Sequence, residues 1–176
     1  MSPPSSLLKG LSAEQHAFFH SQGYLKYDRA VISDELLDAL RQRSEDIAER
    51  RLTHVPERYI QFEAQFRGEQ GLPEGTSRLD GIRKMTQLAY FDELFEAVCR
   101  SAAIVDVIED LLGTPDIKLY TDQLMMKPRY HGTVTDWHQD SVAWPQVGAP
   151  HVLHPRFPPQ VSIESPCRRS FSRRTT

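Results

Sequence analysis

Asp136-Trp137-His138-Gln139-Asp140-Ser141-Val142-Ala143-Trp144-Pro145 is the stretch on which the reading of this chain turns. On a β-strand, residues two apart project to the same side, so His138 and Asp140 share one face. A neutral imidazole beside a carboxylate is two parts of a 2-His-1-carboxylate facial triad, which leaves open positions on iron(II). A lone His-x-Asp tripeptide also occurs in solvated turns, and by itself is a weak signal. Its surroundings add weight. The chain's two tryptophans, Trp137 and Trp144, flank the pair, as they would at a pocket mouth or in a core.

Upstream, Ile117-Lys-Leu-Tyr-Thr-Asp-Gln-Leu-Met-Met126 reads as a strand ended by Lys127-Pro128. Gly132 then marks a turn into the motif. Ile104, Val107, Ile108, Leu111 and Leu112 predict a helix closed by Gly113, with Pro115 beyond it, and Phe91, Leu94, Phe95 and Val98 predict another. Leu79 to Met85 is a candidate strand. Residues 53–77 are polar and rich in glycine and proline, which predicts a surface loop or lid. Leu36, Leu37, Leu40, Ile47 and Leu52 predict a helix from Ser33. At the N-terminal side, Ser12-Ala-Glu-Gln15 forms a capping box. Phe18 and Phe19 supply that helix's apolar face, Gly23 stops it, and Tyr24 to Tyr27 reads as a short strand.

The order and content of these segments resemble the phytanoyl-CoA dioxygenase family over roughly residues 12–150. The resemblance rests on Leu119-Tyr-Thr-Asp-Gln-Leu-Met-Met-Lys-Pro128 followed by Trp137-His-Gln-Asp140, with Gly23-Tyr24, the helix after Ile32-Ser33 and a middle strand carrying Lys84. It implies an α+β fold: a double-stranded β-helix (jelly-roll, cupin-like) core with N-terminal helices. It also implies a dioxygenase that uses Fe(II), 2-oxoglutarate and O2 to hydroxylate a small-molecule or acyl-type substrate, releasing succinate. His138 and Asp140 would be metal ligands and catalytic residues, and Lys84 and Gln123 would face the cosubstrate. Lys84 reads equally as a surface lysine. Gln123 stands where close relatives often carry methionine. Asp136 and Gln139 could orient the ligands.

The family's distant second histidine and its arginine have no evident counterpart. Only His151 and His154 follow the motif, in a Pro/Arg/Ser-rich stretch without periodicity. The expected organisation is therefore a disordered leader (1–10), part of the family domain (11–150) and a disordered tail foreign to the fold (151–176), leaving the jelly roll incomplete at its C-terminal side. On that reading the polypeptide as written holds iron poorly compared with a complete triad and is unstable or catalytically inactive. A non-catalytic remnant or protein-binding module, and more remotely a zinc hydrolase, are the alternatives.

Composition limits the other classes. Of 176 residues, 39% are hydrophobic and 26% charged, as in a soluble globular domain. The net charge of −3 divides into −7 over residues 1–153 and +4 beyond, where five arginines meet one acid. An acidic body predicts no nucleic-acid partner. No apolar run suits a membrane and no signal peptide is evident, so a cytoplasmic location is expected. Cys99 and Cys167 predict no structural disulfide.

Overall fold

The computed structural model describes residues 8–68, 71–128 and 132–134. Five helices and a three-stranded antiparallel sheet make up this part, a mixed α+β arrangement. Helix α1 (Ala13–Gln22) forms as its caps dictate. Ser12 Oγ accepts the Gln15 N–H, the Gln15 side chain accepts the Ser12 N–H, and Gly23 closes the helix at φ 77°. Helix α2 (Asp34–Ala48) starts at Ser33, whose hydroxyl accepts the Leu36 N–H. Helix α5 (Ala102–Leu112) ends at Gly113, φ 70°. Two short helices, α3 (Leu88–Phe91) and α4 (Glu93–Cys99), divide the stretch expected to be one helix, because Asp92 adopts an extended backbone between them. Its side chain accepts the Leu94 N–H and starts α4.

The sheet runs in the order β1 (Ile60–Phe62), β2 (Ile82–Thr86), β3 (Gln123–Met125), with β2 in the centre. Ile60 faces Met85 and Gln61 faces Lys84, but Phe62 faces Ile82. This bulge at Arg83 shifts the side-chain parity, so that Ile82 and Met85, three residues apart, are both fully buried. Lys84 and Thr86 lie two apart on the remaining regular part of the strand and therefore share the opposite face. Ile47, Ala48, Val55, Ile60, Ile82, Met85 and Leu88 form the core, with Leu52, Tyr59, Phe62, Leu79 and Phe91 packed around it. Full burial of a side chain such as Ile47, Met85 or Leu88 contributes about 1.5–3 kcal/mol.

Several expectations are corrected. Residues 53–77 are not a peripheral loop: Val55 and Ile60 are core residues, β1 lies here, and single 3-10 turns cover Glu57–Tyr59 and Ala64–Phe66. A three-residue strand is too short for alternation to reveal it. Tyr24 to Tyr27 forms no strand, and no segment among the described residues pairs with it; Tyr27 instead donates its hydroxyl to the Gly10 carbonyl, 3.1 Å away. The strand read over 117–126 contracts to three residues. On α1, His16 is the buried side chain, while Phe18 is exposed and stacks edge-on with Tyr24. Residues 9 and 10, assigned from sequence to the leader, are fastened to α5. The Asp110 carboxylate accepts the backbone N–H groups of Lys9, Gly10 and Leu11 at 2.8–3.0 Å, and Lys9 pairs with Glu109.

Candidate active site

The sheet face opposite the core opens into a cavity of about 350 Å³ lined by Lys84, Thr86, Gln87, Tyr120, Thr121 and Gln123. Antiparallel pairing of β2 with β3 sets Lys84 opposite Met125 and Thr86 opposite Gln123. Lys84 and Gln123 are therefore diagonal neighbours, and Lys84 Nζ donates to Gln123 Oε1 at 2.9 Å. The two side chains that sequence assigned to the cosubstrate thus meet at one cavity. The donors along its wall are one ammonium, three hydroxyls and two carboxamides, a set suited to a carboxylate.

Asp122 fixes the rim. Its backbone carbonyl accepts the Gln87 N–H at 3.1 Å, and its carboxylate accepts the N–H groups of Leu88 (2.8 Å) and Ala89 (3.2 Å). Gln87 takes a left-handed backbone, φ 59°, to turn the chain from β2 into α3. Burial raises the Asp122 carboxyl above the ordinary carboxylate range, and the two backbone N–H donors offset only part of that cost. Burial, with the Asp122 and Glu96 charges, likewise raises the Cys99 thiol, a free cysteine. It is held as an unreactive packing residue.

A second polar centre gathers around Glu63. Glu63 is fully buried. Its Oε2 accepts from the Thr133 hydroxyl at 2.5 Å and from the Arg83 guanidinium at 3.4 Å. Burial opposes its ionisation, yet the Thr133 hydroxyl and backbone N–H together with Arg83 prevail and hold the carboxyl below its ordinary value. Sequence reasoning missed Glu63, because a glutamate in a polar stretch has no mark of burial.

His138 and Asp140, with Asp136, Trp137, Gln139, Trp144, His151 and His154, lie outside the described residues. The structure carries the chain to Val134, four residues short of His138. The Gly132 N–H donates to the Pro128 carbonyl at 3.1 Å. A Cβ at 132 would come within 2.7 Å of Lys127 Cγ and 3.2 Å of the Pro128 carbonyl oxygen, so a larger residue would have to displace the Lys127 side chain. Among the described residues no group of three or more His, Cys, Asp or Glu side chains could hold a metal ion. Nor is any described helix long and apolar enough to cross a membrane.

The sequence model described as Phytanoyl-CoA dioxygenase (PhyH) matches residues 19–162. The chain belongs to the phytanoyl-CoA dioxygenase family. Within it, a probable phytanoyl-CoA dioxygenase of Caenorhabditis elegans is 32% identical over 130 residues, 73% of this chain and 40% of that protein. An L-proline trans-4-hydroxylase of Streptomyces griseoviridis is 30% identical over 127 residues, 70% of this chain and 40% of that protein. The chain therefore spans about two fifths of the length of the curated relatives it matches. No solved structure matches it significantly.

Proposed function

We propose that the protein is an Fe(II)- and 2-oxoglutarate-dependent dioxygenase that hydroxylates a small-molecule or acyl-type substrate, and that the described sheet is one wall of a double-stranded β-helix. The observation that carries this reading is the Lys84–Gln123 pair at 2.9 Å in an open polar cavity, on the sheet from which the chain leads toward His138 and Asp140. Family membership and a hydroxylase among the relatives support it.

The donor sets fit the groups required. An imidazole and a carboxylate suit ferrous iron, and an ammonium among hydroxyls suits a dicarboxylate. Bound iron and 2-oxoglutarate supply the oxidising chemistry, with O2 as oxidant and succinate as a product. The protein's own residues do the rest. His138 and Asp140 hold the metal on one face. Lys84 Nζ exchanges Gln123 Oε1 for a carboxylate oxygen, and Gln123 then offers its amide N–H₂ to the same ligand. Thr86, Thr121 and Tyr120 supply hydroxyl donors along the wall. Asp122 keeps Gln87 and the head of α3 against β3, so that the cavity holds its width.

The test is anaerobic equilibrium dialysis of Fe(II) against the chain, with and without 2-oxoglutarate. Cosubstrate should increase iron uptake. Lys84→Ala should remove roughly 1.5–3 kcal/mol of that linkage, a charge-assisted hydrogen bond, and leave uptake of iron alone unchanged. Equal effects of 2-oxoglutarate on the variant and the unmodified chain would remove the cavity from the reading.

A further inference from the structure

We propose that His16 and His20 form a two-nitrogen chelate on α1 for a first-row divalent transition-metal ion of the Ni(II) or Cu(II) class. The site goes beyond the oxygenase reading and does not depend on it, since no residue lining the Lys84 cavity belongs to α1.

The geometry starts from the helix period. Residues four apart stand one above the other on a helix face, so His16 and His20 can present both rings to one point. In the structure the two Nε2 atoms are 3.0 Å apart. A divalent ion holds an imidazole nitrogen at about 2.0–2.1 Å, and two such nitrogens at right angles to each other stand about 3.0 Å apart. Right angles between nitrogen ligands suit tetragonal Ni(II) or Cu(II), whereas a tetrahedral ion spreads its ligands wider.

The ring arrangement separates this pair from a simple N–H···N bond. Rings joined end to end by such a bond would hold their centroids further apart than their nitrogens by the full width of an imidazole. Here the nitrogens are 3.0 Å apart and the centroids only 4.3 Å, with the ring planes inclined at 57°. At least one nitrogen is therefore aimed away from the line joining the two, which weakens a hydrogen bond. The same tilt suits two lone pairs converging on a third atom beside that line.

Burial fixes one ligand and leaves the other accessible. His16 is the buried side chain of α1, the helix that packs on α5, while His20 is exposed in its last turn. The Ser12–Gln15 capping box and Gly23 hold the helix on either side of the pair, so little chain freedom is lost on binding. The proton that one ring carries at Nε2 passes to its own Nδ1, and both Nε2 lone pairs then face the ion. With two protein ligands, the other coordination positions are left to water. That agrees with the absence of any three-ligand group among the described residues, and it distinguishes the pair from a closed four-ligand zinc site.

The experiment titrates the full chain with Ni(II) by calorimetry, follows thermal unfolding with and without the ion, and records the histidine ring C–H proton resonances. Ni(II) should raise the melting temperature of the unmodified chain, and a chelator should reverse the rise. His20→Gln keeps a hydrogen-bonding partner beside His16 but supplies no imidazole. It should melt as the unmodified chain does without Ni(II), bind the ion at this site at least about tenfold more weakly, and lose most of the rise. Sites elsewhere on the chain are common to both proteins and drop out of the difference. The ring signals that His16→Gln and His20→Gln each remove should broaden together as Ni(II) is added. Equal Ni(II) affinity in the two chains, no binding by the unmodified chain, or His16 and His20 signals that stay sharp overturns the proposal. So does a His20→Gln chain that melts earlier without the ion yet shows the same rise with it, because the pair is then a hydrogen bond and nothing more. Should His16→Gln fail to fold, His20→Gln, at an exposed position, decides the matter alone.

Discussion

Replacing Asp92 with alanine should cost this fold about 2–4 kcal/mol, most of it from a single buried oxygen. Asp92 is 3% exposed. Its Oδ2 accepts from the Arg43 guanidinium at 2.7 Å and from His54 Nε2 at 2.8 Å, tying α2 and the following loop to the head of α4. Its Oδ1 accepts the Leu94 N–H at 3.0 Å, which is the N-cap of α4, and loss of such a cap costs about 1 kcal/mol. Breaking a buried ion pair costs about 3–5 kcal/mol when the surviving charge stays buried. Arg43 and His54 are each about one third exposed, so water re-solvates them and the pair contributes well below that limit. Burial works against ionisation of Asp92, but Arg43 and His54 outweigh it and hold the carboxyl below its usual value. A depressed pKa means that the stabilisation is complete above the unfolded-state value near 3.9 and is lost as pH falls through the lower folded value. Urea unfolding at pH 7 should therefore show a lower midpoint for Asp92→Ala at unchanged m, with the gap narrowing in strong acid. A midpoint at pH 7 that places the variant within about 0.5 kcal/mol of the unmodified chain would refute this account of the brace.

Other outcomes follow from the same structure. Asp122 titrates in the opposite sense: its raised carboxyl contributes stability that is full below the unfolded value and declines as pH rises through the folded one. Asp122→Asn should lose that decline, so the difference in melting temperature between the two chains should move in favour of the variant from pH 4 to pH 7. Asp122→Ala, which strips the acceptor from Leu88 and Ala89, should be destabilised at both pH values by about 1–2 kcal/mol. Gly113→Ala forces a side chain into φ 70° at the end of α5 and should cost about 1 kcal/mol by urea unfolding, although nothing lies within 4 Å of the new methyl.

What could be read from sequence was what is encoded locally. Ser12 with Gln15, Gly23, Ser33 and Gly113 each act on the backbone within a few residues, and the helices they bound stand where they were expected. Pairing across long separations was less legible. β1 consists of three residues between 3-10 turns, and only its distant partner Met85 makes Ile60 a core residue. Tyr24 to Tyr27 has strand-like composition but no partner strand among the described residues. The bulge at Arg83, which buries both Ile82 and Met85, leaves no local signal. Lys84 and Gln123 were brought forward by family resemblance; the antiparallel register of β2 and β3 supplies a physical reason for their proximity. Glu63, Asp92 and Asp110 carry no local mark of their burial, which depends on partners 20 to about 100 residues away.

The central claim is that His138 and Asp140 together hold a ferrous ion to which 2-oxoglutarate binds beside Lys84. Chelation of iron(II) by the keto acid produces a visible charge-transfer band under argon. The unmodified chain is predicted to develop this band when 2-oxoglutarate is added to its Fe(II) form, and both His138→Ala and Asp140→Ala are predicted to lose it. A band of equal intensity in either variant, or none from the unmodified chain at saturating iron and cosubstrate, would contradict the claim.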